Sequence, residues 1–347
     1  MEASTSWGVI MSRPQECKLN WIQKFTEMIF PVDRTNLNIE GAFLMKDQHL
    51  PDSIFKYREV NKNALKNLRE DTVWLADPSN FNDPYDCSHT ADFQYIQKQR
   101  SSTFFELYFR ENEGKLNITD DQKKIILSSS DPMNEIIDIL LAGESLEKKE
   151  GMKAVLISVQ EKMHADMALS GSKNIANSFK LCSFSERNDS MLMWAHYANY
   201  HQGFCIEYDL VNIPRSDFRR RFLYPTIYSD NMFDATEHML KGVDDESFNN
   251  LHLSLAALIK AKDWEYEKEW RLVFANGIFK EEKSYEIGFP KMVYLGTKIK
   301  PEDQETIISI CNERGIPFCK MKAHHSEFKL MPTTVKESEQ HFFKEKA

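Results

Sequence analysis

Residues 181–210, LCSFSERNDSMLMWAHYANYHQGFCIEYDL, hold polar and aromatic side chains more densely than a core strand or helix needs. The stretch begins and ends in apolar runs, LCSFS and GFCIEYDL, whose composition is typical of β-strands. Between them, Met191–Tyr197 has the spacing of a short helix. We therefore predict a functional site framed by two strands.

Outward from this stretch, strand-like and helical segments alternate unevenly. Residues 54–60 and 72–78 are predicted strands that flank a helix beginning near Asn61. Residues 92–176 have helical, charge-rich patterns, and a further helix is predicted over residues 246–261. Additional strands are predicted in the segments RRFLYPTIYSD, EWRLVFA, MVYLGTKI and PFCKMKA, with an amphipathic helix in PEDQETIISICNERG.

These patterns predict an α+β fold with a central mixed or antiparallel sheet. The predicted organisation is an N-terminal helical extension over residues 1–50, followed by one α+β domain over residues 51–335. A helical insertion at about residues 92–176 interrupts that domain.

Composition limits the classes of partner. The chain has 347 residues, with 44 Lys and Arg against 53 Asp and Glu, so its net charge of -9 argues against general nucleic-acid binding. No apolar run approaches the roughly 20 residues that span a bilayer, and no membrane partner is expected. The six cysteines form no CxxC pair, and the first residues lack a secretory signal pattern, which predicts a cytoplasmic protein.

The first strand carries charged residues at a half-buried position. Lys56, Tyr57 and Arg58 interrupt its apolar pattern, and an Arg at a strand end suits phosphate or carboxylate recognition. The alternative is that Arg58 lies on the solvent face or forms an ion pair with a nearby Glu. The following turn, FNDPYD at residues 81–86, is predicted to be structural, because Asn, Asp and Pro stabilise turns. Asp83, Asp86 and His89 have only weak metal-ligand spacing, so no metal is expected.

The central stretch supplies hydroxyl and ring groups. Ser183 and Ser185 project to the same side of a strand and are predicted to contact a polar ligand. Trp194, His196 and Tyr197 lie on the predicted short helix, where His196 is either a ligand-binding or a structural residue. His201 follows that helix, and its spacing from His196 does not fit a helical zinc pair.

Alternating acids precede a late strand. Glu265, Glu267 and Glu269 are predicted to point to one face of an extended segment. Like charges along one face require solvent or a bound partner. The segment is therefore either a solvated edge strand or the source of a carboxylate that binds ribose hydroxyls and stabilises an oxocarbenium ion.

Three motifs carry a resemblance to a known family. FNDPYD, SFSERNDSMLMWAHYANYHQGFCIEYD and EKEWRLV resemble an uncharacterised bacterial family of domains of unknown function. The resemblance covers roughly residues 54–296 without most of the helical block. It implies no particular activity.

A more distant similarity concerns the order Arg, Ser-x-Ser and Glu-x-Glu, which resembles the ADP-ribosyltransferases. It implies an ADP-ribosyltransferase-like fold and NAD as substrate, with ADP-ribose transfer or NAD cleavage in a bacterial defence or toxin context. By this resemblance Arg58 contacts the NAD phosphates or ribose, Ser183 supports the site, Glu269 assists nicotinamide loss and Glu267 orients the acceptor. Phe184 departs from the family pattern, which has Thr at that position.

The expected substrate-binding residues are Tyr57, Ser185, Trp194, His196, Tyr197 and His201, with Tyr197 or Trp194 stacking on the nicotinamide. The ligand is then a small-molecule nucleotide, and the ADP-ribose acceptor is a macromolecule, a small molecule or water. Two alternatives remain open: a non-catalytic module that binds a nucleotide or a protein, and a metal-dependent nuclease built on Asp83, Asp86, His196 and Glu207.

Overall fold

The computed structural model describes residues 15–113, 115, 118–129, 131–241, 245–275, 278 and 283–335, without the side chains of residues 15–20 and 102. The strands in these ranges are β1 Ser53–Arg58, β2 Thr72–Leu75, β3 His89–Thr90, β4 Phe179–Ser185, β5 Phe204–Asp209, β6 Leu223–Pro225, β7 Ile227–Ser229, β8 Phe233–Asp234, β9 Ile259–Ala261, β10 Glu269–Ala275, β11 Lys283–Glu286, β12 Met292–Leu295, β13 Phe318–Ala323 and β14 Leu330–Thr333.

The α-helices are α1 Gln15–Ile29, α2 Ile39–Asp47, α3 Lys62–Glu70, α4 Phe93–Glu111, α5 Asp120–Ser128, α6 Pro132–Leu140, α7 Leu146–Asn177, α8 Met191–Tyr197, α9 Phe218–Arg221, α10 Thr236–Leu240 and α11 Pro301–Arg314. Short 3-10 helices cover Arg34–Asn36, Pro78–Asn80, Asn250–Ala257 and Lys262–Glu267. Among the helices of the described ranges, none combines the length and the apolar character needed to cross a bilayer.

Eight strands form the main sheet, in the order β14-β13-β12-β5-β1-β4-β10-β6. Neighbouring strands are antiparallel, except that β12 and β13 are parallel. The sheet is therefore mixed, and helices α4 to α7 follow one another in the region of the predicted insertion. Both features confirm the predicted α+β class. The limits of the domain and of the N-terminal extension stay predictions.

The centre of this sheet is partly open. β1 pairs with β5 along six residues, but its ladder with β4 consists of the pair Phe55↔Ser185. In the opening, the Lys56 ammonium donates a 2.7 Å hydrogen bond to the Ser183 carbonyl, where a backbone ladder bond would otherwise lie. β1 and β4 therefore diverge at the middle of the sheet and leave space between them.

The main core covers one face of the sheet and extends onto α1. Trp21 and Phe25 of α1 are buried, and the Trp21 ring lies 6.3 Å from Trp270 of β10. The helical block has a separate small core at Phe105, Phe109 and Ile126. The site therefore belongs to the sheet, while the helical block is held together by its own apolar contacts.

Two predicted elements differ in the structure. The predicted strand RRFLYPTIYSD is divided into α9, β6 and β7, because the chain turns out of the main sheet after Pro225 and β7 pairs with β9. The helix predicted over residues 246–261 is a 3-10 helix, Asn250–Ala257, followed by β9. In both places the parallel pairing of β7 with β9 overrides the local sequence preference.

Gly203 is required by a close backbone approach. A Cβ atom at this position would clash with the backbone carbonyl of Arg58 and lie 3.0 Å from the backbone of Ala198. Gly203→Ala is expected to lower the free energy of unfolding by about 1–3 kcal/mol, since the β1–β5 contact cannot widen without disturbing the sheet. Urea denaturation followed by circular dichroism measures this change.

Gly151 in α7 is the matched control, because a Cβ there meets no atom within 4 Å. Gly151→Ala is expected to stabilise the chain by about 0.5–1 kcal/mol through helix propensity. Equal effects of the two substitutions would contradict the close packing at Gly203.

Candidate functional site

Two adjoining cavities lie at the opening between β1 and β4. The inner pocket has a volume of about 220 Å³. The outer cleft has a volume of about 960 Å³. Their linings share Lys56, Tyr57, Arg58, Trp74, Asn82 and Tyr197. Together they have the size of a ligand site of the kind that binds small molecules and cofactors.

The inner pocket brings together most of the predicted site residues. They come from β1, β4, α8 and the segment before β10, and they are Tyr57, Arg58, Ser183, Ser185, Tyr197, Glu267 and Glu269. His196 lines the outer cleft. Residues more than 200 positions apart in the chain therefore face one space.

A buried network of charges forms the floor of the inner pocket. The Lys260 ammonium donates to Glu267 Oε2 at 2.6 Å and to Glu269 Oε2 at 3.0 Å. The Arg271 guanidinium donates to Glu269 Oε1 at 2.9 Å and makes two bonds to Asp86, at 2.6 and 2.8 Å. All five side chains are buried, so each charge depends on its partners for stabilisation.

The network separates the pKa values of the two glutamates. Burial raises the pKa of Glu267 and the nearby charge of Glu269 raises it further, against the opposing effect of Lys260. Burial would also raise the pKa of Glu269, but Arg271 and Lys260 outweigh it and lower this pKa to about 2. Two neighbouring carboxylates with diverging pKa values are typical of acid–base pairs in enzymes.

The local backbone explains how both acids reach the pocket. Glu267 ends a 3-10 helix, Lys268 adopts a left-handed conformation with φ 46°, and β10 begins at Glu269. The Ser185 hydroxyl donates to the Glu267 carbonyl at 2.6 Å and holds this turn against β4. Tyr197 donates its hydroxyl to Glu267 Oε1 at 2.6 Å.

The prediction that Glu265, Glu267 and Glu269 share one strand face is therefore wrong. Glu265 lies in the 3-10 helix and pairs with Lys268 at 3.0 Å on the surface. The alternative of a solvated edge strand is also wrong, since β10 lies between β4 and β6 and Glu269 is buried.

Two cations in the wall of the pocket have no acidic partner. Within the described part of the chain, no carboxylate lies within 4.0 Å of the Lys56 ammonium or the Arg58 guanidinium. Both side chains are partly buried and line both cavities. A partly buried cation without a counter-ion favours binding of an anion.

Aromatic rings surround the mouth of the outer cleft. Trp74 of β2 is 42% exposed and Tyr200 is 71% exposed, although both are large rings. Trp264 contributes a third ring to the same cleft. Exposed rings beside a cavity provide flat surfaces on which a planar ligand can stack.

The loop that carries Tyr200 is conformationally unusual. Asn199, Tyr200 and His201 have φ values of 44°, 55° and 70°, in the left-handed region that residues other than glycine seldom adopt. Backbone bonds hold the loop, including His201 N–H to the Trp194 carbonyl at 3.0 Å. Strained residues of this kind are concentrated at binding sites, and Asn199 and Tyr200 both line the outer cleft.

Two of the predicted ligand contacts, Trp194 and His201, lie outside both cavities, and Tyr57 lines them with its hydroxyl already bonded. Trp194 is fully buried, donates its ring N–H to the Asn188 carbonyl, and lines neither cavity, so it cannot stack on a ligand there. Tyr57 touches the pocket, but its hydroxyl donates to the Arg187 carbonyl and its ring packs edge-on against Trp194. His201 lines neither cavity. Trp194 and Tyr57 therefore stabilise the structure behind the site.

The residues of the nuclease alternative do not meet. Asp86 is bound to Arg271, and His196 Nδ1 lies 3.0 Å from the Tyr266 hydroxyl. Glu207 accepts from Tyr294 and Lys291 beside β12. Across the described ranges, no group of three or more His, Cys, Asp or Glu side chains is placed to hold a metal ion.

Several residues of the site are not predicted from the sequence. Lys260, Arg271 and Trp74 are among them, and Asp86 is predicted only as part of a structural turn or as a ligand in the nuclease alternative. The sequence does indicate that Arg271 has a buried partner, because a charged residue within the apolar run EWRLVFA must pair with an opposite charge or an acceptor. The sequence gives no comparable indication for Lys260, because residues 246–261 are predicted to form a helix.

Comparison with known proteins adds one finding. Residues 193–272 match the family model described as Protein of unknown function (DUF2971). This match confirms the predicted resemblance to a family of unknown function, over a shorter stretch than the predicted residues 54–296. The DUF2971 stretch contains Lys260, Glu267, Glu269 and Arg271 but not Arg58 or Ser183. No curated protein and no solved structure matches the chain.

Because of Glu269, the free energy of unfolding is expected to decrease at acid pH. Its pKa is lowered from 4.5 to about 2 in the folded state, so its contribution is complete above pH 4.5 and is lost as the pH falls towards 2. Glu269→Gln is expected to lower the free energy of unfolding at pH 7 by about 3–5 kcal/mol, because two buried cations lose a counter-ion. The difference between wild type and variant is expected to shrink between pH 4.5 and 2.

Thermal or urea unfolding at several pH values measures both effects. Glu265→Gln is the matched control, because Glu265 lies on the surface in an exposed pair whose loss costs about 0–1 kcal/mol. A Glu269→Gln variant that is as stable as this control at pH 7 would contradict the buried network.

Proposed function

We propose that the two cavities bind a dinucleotide such as NAD and that the inner pocket cleaves its N-glycosidic bond, as an ADP-ribosyltransferase-like enzyme does. The observation that carries the proposal is the convergence of Arg58, Ser183, Glu267 and Glu269 on one pocket between diverging strands. These residues come from three distant segments of the chain, and they are the ones to which the ADP-ribosyltransferase resemblance assigns roles.

The cations support a phosphate-bearing ligand. Lys56 and Arg58 lie where the inner pocket meets the outer cleft, so a diphosphate held by them would place one nucleoside in each cavity. Guanidinium and ammonium groups bind phosphate through short charge-assisted hydrogen bonds. Trp74 and Tyr200 would then support the base in the outer cleft, where stacking contributes to binding.

The two glutamates have different roles in this reaction. As the bond between ribose C1′ and nicotinamide nitrogen breaks, its electron pair leaves with neutral nicotinamide and positive charge develops on the ribose. Glu269 remains ionised and holds negative charge beneath the pocket. Glu267 accepts a hydrogen bond from a ribose hydroxyl.

The second half of the reaction adds an acceptor. A lone pair of water or of another hydroxyl or amine acceptor forms the new bond to C1′, and the proton that it releases passes to Glu267. The raised pKa of Glu267 suits this proton transfer better than the lowered pKa of Glu269 does. We therefore assign the reactive carboxylate to Glu267 and a positioning role to Glu269.

One observation favours a non-catalytic nucleotide-binding module as the second candidate. Each carboxylate oxygen of Glu269 already accepts from a cation, and Glu267 is bound by Lys260 and Tyr197. A ligand hydroxyl must share these oxygens or displace the Tyr197 hydroxyl. In the binding module, NAD would bind and remain intact.

Glu267→Gln is expected to reduce nicotinamide release from NAD by at least about a hundredfold, the usual effect of removing one group that stabilises a transition state. Binding of NAD, measured by calorimetry, is expected to change far less. The substitution keeps the shape of the side chain and its bond to Tyr197. Chromatographic detection of free nicotinamide measures the rate.

Glu265→Gln is the control, since this residue lies two positions away on the surface outside both cavities. Wild-type protein that binds NAD without releasing nicotinamide, with or without added acceptors, would support the binding module. Absence of both binding and release would contradict both candidates.

Arg58→Gln is expected to weaken binding of NAD and of free ADP-ribose by about tenfold or more, because a charge-assisted bond to phosphate contributes about 1.5–3 kcal/mol. Arg69→Gln on the exposed side of α3 removes the same charge outside both cavities and serves as the control. Isothermal titration measures both. Equal affinities for the two variants would show that Arg58 does not contact the phosphates.

A further inference from the structure

The long helix α7 carries an exposed apolar stripe. Met152, Val155, Val159 and Met163 recur at intervals of three and four residues and therefore lie along one side of the helix. Their exposures are 51%, 63%, 59% and 44%. Between residues 152 and 163, this side of the helix carries apolar residues where an exposed helix face usually carries charged and polar ones.

The stripe is distinct from the side of α7 that packs against the chain. Lys153 pairs with Asp138 of α6 at 2.6 Å, and His164 bonds Gln97 of α4 at 2.8 Å. At 100° per residue, the centre of the stripe lies roughly a third of a turn from these contacts. Nothing in the fold of the described chain covers it.

The apolar residues of the stripe can pack against the same residues of a second, antiparallel copy of α7. Two copies of α7 running antiparallel, with the twofold axis at the level of residue 157 along the helix, would place Val155 of one against Val159 of the other. In the same register, Met152 of one copy faces the residue next to Met163 of the other copy, and this happens at both ends of the helix pair. A surface that fits its own copy about a twofold axis is the requirement for an isologous dimer.

Charge at the ends of the stripe follows the same symmetry. Lys148 and Asp166 are exposed, lie on the side of the stripe, and are equally far from its centre at residue 157. Lys148 pairs with Glu144 in the single chain, at 2.9 Å, which leaves it beside the stripe. In the antiparallel register, Lys148 of each copy meets the partner's Asp166 at both ends.

We propose that a second copy of this chain docks on this stripe, so that α7 forms an antiparallel helix pair across a twofold axis. The apolar residues form the centre of the interface and the Lys148–Asp166 pairs fix its register. The dimer does not depend on the proposed nucleotide chemistry, since α7 lines neither cavity.

Light scattering coupled to size exclusion, and sedimentation velocity on the full chain, test the proposal. Wild-type protein is expected to have twice the mass of the single chain at micromolar concentration. Val155→Glu and Val159→Lys are each expected to give the single-chain mass. The double variant V155E/V159K is expected to restore the dimer, because each Glu then faces a Lys of the partner.

Leu169→Glu is the control, because Leu169 is 75% exposed on another side of the same helix and its change is expected to leave the dimer intact. K148E/D166K exchanges the end charges and is also expected to keep the dimer, whereas Lys148→Glu alone is expected to weaken it. Far-UV circular dichroism verifies that each variant remains folded.

Three results would overturn the proposal. Wild-type protein with single-chain mass throughout the concentration range would exclude the dimer. A Val155→Glu variant that remains dimeric would place the interface elsewhere, and failure of V155E/V159K to recover would exclude the antiparallel register. A further outcome is that wild-type protein has single-chain mass but sediments with anionic vesicles. If Val155→Glu abolishes this sedimentation, the stripe binds a lipid surface instead.

Discussion

The fully buried guanidinium of Arg271 is the constraint on which the site depends. A buried cation of this kind is tolerated only when every donor has an acceptor, and here Asp86, Glu269 and the Ala257 carbonyl supply them. These acceptors come from the turn before β3, from β10 and from the 3-10 helix before β9. Satisfying one side chain therefore links three segments that also pack together in the main core, and it fixes the floor of the inner pocket.

The same network determines the properties of the two glutamates. Lys260 and Arg271 bring two positive charges to three carboxylates, so full ionisation would leave one negative charge in a buried space. Glu269 lies between both cations and keeps its charge. Among the two cations, Glu267 contacts Lys260 only, and it lies beside Glu269, so it is the group that binds a proton with least cost. The difference in roles follows from position in the network, since the two residues are chemically identical.

The strands that form the site were predictable because each is a short apolar run bounded by polar residues, as in β1, β4, β5 and β10. Their side chains at the opening were also recognisable, because Arg58 and Ser183 are polar residues inside apolar segments. Lys260 was not recognisable, since Asn250–Ala257 has helical composition and only the pairing of β9 with β7 makes the next residues a strand. Trp194 was misassigned because a seven-residue helix does not reveal from its sequence which side faces the core.

At the opening between β1 and β4, the edge of β4 finds other partners than β1. The Ser183 carbonyl accepts from a side chain, and Leu181 exchanges backbone hydrogen bonds with Ala76. Central strands are usually paired along their length, whereas here the Lys56 ammonium bonds the Ser183 carbonyl across the gap. A phosphate at this position would accept from the same ammonium group, through one of its other donors. Binding of an anion would thus be linked to the distance between the two strands, and the strand that carries Ser183 also pairs with Glu269 and Arg271 through its ladder with β10. A ligand bound by Lys56 would therefore be connected to the buried network through β4.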